Sequence, residues 1–66
     1  MELMLNGTPT TLREGATVAE LLDTLDLGGR RVAVEVNAEI VPRGEHQRRA
    51  LLAGDRVEIV HAIGGG

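Results

Sequence analysis

Apolar and polar residues alternate from the start of the chain, with Leu3 and Leu5 set between Glu2, Met4 and Asn6. A period of two marks a strand with one buried face. Asn6-Gly7 follows directly. A type I′ turn needs positive φ at both central residues, so this pair predicts a hairpin. Residues 8–13, rich in Thr, form the return strand. Pro9 has no amide hydrogen and places that strand at a sheet edge.

The period then changes. Val18, Leu21, Leu22 and Leu25 fall at i, i+3, i+4 and i+7 and lay one apolar stripe along a helix over residues 18–27. Thr17-Val18-Ala19-Glu20 opens it as a capping box, in which the Thr17 hydroxyl accepts from the Glu20 amide and the Glu20 carboxylate reaches back to the Thr17 amide. Gly28 and Gly29 stop it by taking up the left-handed conformation. Beyond them the alternation returns. Val32, Val34 and Val36 share one face of a third strand, Asn37 suits a turn, and Ile40-Val41 is a short apolar pair closed by Pro42. Residues 43–50 are polar, carry His46 and three Arg, and read as a surface loop or a single helical turn. Ala53-Gly54-Asp55 is another turn. Residues 56–63 form the last strand, with Val57 and Ile59 inward and Glu58 and Val60 outward.

One helix and a set of one-sided strands require a sheet covered on a single face. The expected class is α+β: a ubiquitin-like β-grasp, with a mixed sheet of four or five strands and one main helix on one face. Sixty-six residues allow one domain. We divide it into a β-grasp body at residues 1–63 and a flexible C-terminal glycine tail at residues 64–66. A domain of this size buries only about 60% of the surface its unfolded chain exposes, which leaves little room for an internal active site.

Composition narrows the chemistry. With no Cys there is no disulfide, thiolate nucleophile or sulfur-ligated zinc, and a cytoplasmic location is the default expectation. The N-terminus lacks the basic segment and apolar run of a signal peptide. No run approaches the roughly 20 apolar residues of a membrane span, so no membrane partner is expected. There is no Phe, Tyr or Trp for a base to stack on. Net charge is −3 and the seven Arg are scattered along the sequence, which argues against nucleic acid. There is no Lys, hence no side-chain amine for covalent chemistry. His46 and His61 are the only histidines and lack a further converging ligand, so no metal site is assigned. Asp23 and Asp26 lie on the helix's polar side and read as a solvated face. No catalytic residue is assigned either.

The chemistry lies at the end of the sequence, Ile63-Gly64-Gly65-Gly66. Glycine there is costly to order and packs nothing, so a purely structural role is weak. A strand running into three glycines and a carboxylate makes a thread without Cβ atoms, thin enough for a narrow channel. Adenylation by ATP would turn the Gly66 carboxylate into an acyl-adenylate that a sulfur nucleophile can attack. The machinery must sit on a partner, because no phosphate-cradling glycine loop opens a helix in this chain.

Residues 34–43, Val-Glu-Val-Asn-Ala-Glu-Ile-Val-Pro-Arg, followed by Gly-Asp-Arg-Val-Glu-Ile-Val at 54–60 and the Gly-Gly end, resemble the ThiS family of thiamine-biosynthesis sulfur carriers, within the ubiquitin-like ThiS/MoaD group. The resemblance covers the whole chain. It implies a β-grasp, adenylation of Gly66 by a ThiF-like enzyme using ATP, a thiocarboxylate loaded from a sulfur donor protein, and delivery to the thiazole synthase ThiG. No cofactor is bound by the carrier itself. Gly65 and Gly66 match the family's tail, while Gly64 is an extra glycine that lengthens the thread. Two alternatives share the same architecture: a molybdopterin-synthase-type carrier, and a ubiquitin-like modifier or interaction module. Strand parity puts Met4, Val60 and Ala62 on the sheet face opposite the helix, as an apolar patch for partner docking.

Overall fold

The computed structural model describes residues 1–61; Ala62, Ile63 and the glycine tail, Gly64 to Gly66, lie outside the described residues. The elements run β1 (Glu2–Leu5), β2 (Thr8–Thr11), α1 (Val18–Thr24), β3 (Val32–Val36), β4 (Glu39–Val41), a 3-10 turn at Arg43–Glu45, and β5 (Arg56–His61). They build a five-stranded sheet in the order β2-β1-β5-β3-β4. β1 and β5 are parallel, and every other pair is antiparallel. This is the expected mixed β-grasp sheet. β2, with Pro9 paired to Met4, is the expected edge.

Both hairpins turn on asparagine. Asn6 and Gly7 have φ of 49° and 82°, and Asn37 and Ala38 have 53° and 69°, the positive pairs that a type I′ turn requires. Each Asn side chain then reaches across to β5. Asn6 Nδ2 donates to the Ile59 carbonyl at 3.2 Å, and its Oδ1 accepts from the Ile59 amide at 2.8 Å. Asn37 Oδ1 accepts from the Arg56 amide at 3.0 Å, and its Nδ2 donates to Asp55 Oδ1 at 3.0 Å. The two turns therefore clamp the central strand from both sides.

The helix is shorter than its periodicity predicts. It ends at Thr24 because Asp26, at φ 61°, takes the left-handed position assigned to the glycines. Leu27 then donates to the Leu22 carbonyl at 2.7 Å and Asp26 to the Asp23 carbonyl at 3.0 Å, the paired bonds of a Schellman turn. Leu25 leaves the stripe and is 37% exposed, and Leu27 packs against the core instead. Gly29, at φ 82°, serves the following turn, not the helix stop.

At the other end, all of the helix's first amides are satisfied. Val18 donates to the Arg49 carbonyl, Ala19 to the His46 carbonyl, Glu20 to the Thr17 hydroxyl and Leu21 to the Thr17 carbonyl. Residues 46–51 are thus stitched to the helix, and the Leu51 amide donates to the Ala16 carbonyl at 2.8 Å. His46 is buried, with Nε2 3.1 Å from the Val41 carbonyl. The segment read as a surface loop or a single helical turn is thus a short 3-10 turn and a largely exposed stretch, with His46 its one buried side chain. Leu3, Val18, Leu21, Leu22, Val34, Val36, Val41, Leu51 and Val57 are buried together between sheet and helix. Among the described residues, no helix is long and apolar enough to cross a membrane.

Candidate functional site

β5 is the middle strand of five and the last described element, so the chain enters residues 62–66 from the centre of the sheet. The strand is held by its ladder to β3, in which Val32 pairs with His61, Ala33 with Val60 and Val34 with Ile59. On the other side its parallel ladder to β1 spans only Met4↔Arg56 and Leu5↔Val57. The Asn6 side chain takes over where that ladder stops, bonding both backbone groups of Ile59. Two residues before the last described position, the strand is therefore still braced on both flanks. A rigid root for whatever follows is what this arrangement provides.

Parity along β5 is as expected. Val57 is buried and Ile59 packs against the core, while Glu58 and Val60 face away from the helix. Val60 is 57% exposed and Met4 is half-buried on the same face. The structure does not join them into one apolar patch. Met4 lines a shallow depression with Gly7, Arg56 and Glu58, and those two charged side chains stand on β5 between Met4 and Val60. Ala62, the third docking candidate, lies outside the described residues.

Sequence reading missed Ile40, which is 70% exposed. It pairs with Glu35, and Val41 beside it is buried, so Ile40 occupies the open face. The signal was available: once Val41 is inward, its strand neighbour must be outward. His61 stands exposed at the end of β5, while His46 is buried against the Val41 carbonyl. Among the described residues, no three His, Asp or Glu side chains gather to hold a metal ion.

The electrostatics of the body are local. Arg13 grips the Glu20 carboxylate, with Nε donating at 2.8 Å and Nη2 at 2.6 Å. That guanidinium hydrogen bond is the main reason the Glu20 carboxyl lies below its ordinary pKa. A hydrogen bond from the Thr17 backbone lowers it further, in the sense of the anticipated capping box, while the carboxylate is turned chiefly to Arg13.

A family model described as the ThiS family matches residues 3–66. All 66 residues align with a thiazole synthase of Paramagnetospirillum magneticum at 44% identity. The chain spans about a fifth of the length of the thiazole synthases it matches, 20% in each case. The sulfur carrier protein ThiS of Escherichia coli is 32% identical over 66 residues, covering 100% of both chains. The crystal structure of the thiamine biosynthesis protein ThiS from Geobacter metallireducens superposes with a TM-score of 0.87 at 36% identity, again over 100% of both chains.

Proposed function

The chain belongs to the ThiS family of sulfur carriers, and from that premise we propose that it carries sulfur for thiazole formation on the carboxylate of Gly66. The observation that carries the reading is the match of the family model through residue 66, onto a glycine run rooted in the braced central strand.

The chemistry takes two steps, both on partners. A carboxylate oxygen of Gly66 attacks the α-phosphorus of ATP on a ThiF-like enzyme, forming the acyl-adenylate and releasing pyrophosphate. Hydrosulfide (HS⁻) released by a donor protein then attacks the acyl carbon, AMP leaves, and loss of the S–H proton gives the thiocarboxylate, with one oxygen replaced by sulfur. The thiocarboxylate is a nucleophile that hands sulfur to a thiazole synthase. The similarity to thiazole synthases supports that acceptor. In this scheme the chain is a co-substrate, not a catalyst. Its own contribution is geometric: the β-grasp body presents the tail, and Gly64 and Gly65 let it enter a channel that excludes water from the acyl-adenylate.

The test is intact mass of the full chain after incubation with ATP, a ThiF-like enzyme and a sulfur source. The expected product carries one sulfur in place of one oxygen, located by fragmentation at Gly66. Absence of that product would overturn the proposal. An amide linkage to a target lysine would replace it with the modifier reading.

A further inference from the structure

β3 runs antiparallel to β5 and pairs its first residue, Val32, with His61. Arg30 and Arg31, immediately before β3, therefore stand at the end of the sheet where β5 gives way to residues 62–66. β4 runs toward the same end, with Val41 paired to Val34, and Arg43 follows just beyond it. Arg43 Nη2 donates to the Arg30 carbonyl at 3.3 Å, drawing the two segments together. All three arginines are exposed, and no carboxylate among the described residues lies within 4.0 Å of their charged groups. Arg30 and Arg43 line a cleft of about 460 Å³ beside Val32, in which Asp23 is the only carboxylate among the described residues.

The remaining arginines are placed elsewhere. Arg13 is paired with Glu20, Arg56 sits opposite Met4, and Arg48 and Arg49 lie in the segment stitched to the start of the helix. Arginines that look scattered along the sequence are thus sorted by the fold. A chain of net charge −3 gathers three positive groups around the exit of its tail.

We propose that Arg30, Arg31 and Arg43 form a basic collar that docks on an acidic rim around the tail channel of the adenylating enzyme. The proposal rests on the carrier reading above. Reach selects the occupant. Residues 62–66 span at most about 18 Å when extended, so a body whose Gly66 sits at a buried reaction centre is held at the channel mouth. The collar then meets protein surface, not the nucleotide phosphates. Complementary charge at such a rim orients the encounter and raises the association rate. It also lets an acidic protein approach an acidic partner surface by one end only.

Binding of the full chain to the adenylating enzyme is measured by titration calorimetry across a salt series. The triple variant Arg30→Glu, Arg31→Glu, Arg43→Glu should weaken Kd about tenfold or more at low salt. The difference should close near 1 M salt, where the Debye length is about 3 Å. Arg48→Glu, the same charge change as Arg31→Glu alone but placed away from the exit, should alter Kd by less than about twofold. Equal weakening by Arg48→Glu would reduce the effect to net charge and overturn the collar. Because Arg43 also holds the Arg30 carbonyl, Arg31→Glu alone provides a second reading, with an expected loss of about two- to fivefold. If only the triple variant binds poorly, and its thermal midpoint has fallen, the arginines are a structural staple and the proposal fails. Sulfur loading of the unmodified chain separates the two ideas. Loading with charge-insensitive binding sinks the collar alone, whereas salt-sensitive binding without loading sinks the carrier reading alone.

Discussion

Leu51 and Leu52 are adjacent and chemically identical, yet one is 1% exposed and the other 67%. Leu51→Ala should cost about 2–5 kcal/mol, since it empties a packed site, whereas Leu52→Ala should stay within about 0.5 kcal/mol. Urea denaturation of the two variants checks the contrast. Nothing local distinguishes them; the bond from the Leu51 amide to Ala16 fixes which side chain turns inward. Gly65 is a residue-scale question of the opposite kind, where bulk is the issue. Gly65→Val should abolish sulfur loading, because a β-branched side chain both thickens and stiffens the thread. The thermal midpoint should not move. Normal loading of that variant, read by intact mass, would remove the argument from channel width.

Elements show how single positions set boundaries. The β3–β4 turn places Ala38 at φ 69°, a conformation costly for any residue with a Cβ. Ala38→Gly should therefore stabilise the domain by about 0.5 kcal/mol or more, seen as a higher urea midpoint at unchanged slope. The helix start carries a pH dependence. Arg13 lowers the Glu20 pKa in the folded chain, so the pairing contributes stability above the unfolded carboxyl value of about 4.3. That contribution disappears as pH falls through the lower folded value. Relative to Glu20→Gln, the unmodified chain should be more stable at neutral pH, and the two should converge in strong acid. Thermal midpoints across an acid series, at low salt, test the sign. The carboxylate is exposed, so added salt should shrink the difference.

At the scale of the molecule, a sheet covered by a helix on one side leaves its other side open, and that side carries Val60 and Ile40 among charged neighbours. Val60→Asp should leave the domain folded, with a cost of no more than about 1 kcal/mol on a half-open strand position. It should weaken binding to the adenylating enzyme about tenfold if this face docks. Unchanged affinity would move the interface off the open face and leave the tail and its surrounding end as the whole contact. Mixed polarity on this face fits a transient partner better than a permanent one, since a permanent interface is more apolar.

Strand and helix periods and the asparagine turn at Asn6 were legible in the sequence, because each is a local signal repeated or terminated within a few residues. Class followed from them: one amphipathic helix and several one-sided strands have few ways to bury their apolar faces together. Parity along β5 was legible for the same reason, and Val57, Ile59 and Val60 lie where alternation puts them. Tertiary contact decided the rest. Asp26 ended the helix ahead of the glycines because Leu27 gained a core site once the chain turned there. His46 and Leu51 became core because the helix's free amides needed carbonyl partners, which residues 46 and 49 supplied. The arginines at 30, 31 and 43 are brought together by the β3–β4 hairpin. They stand at the end from which β5 leaves because β3 pairs with β5, a pairing between segments remote in sequence that no local pattern encodes.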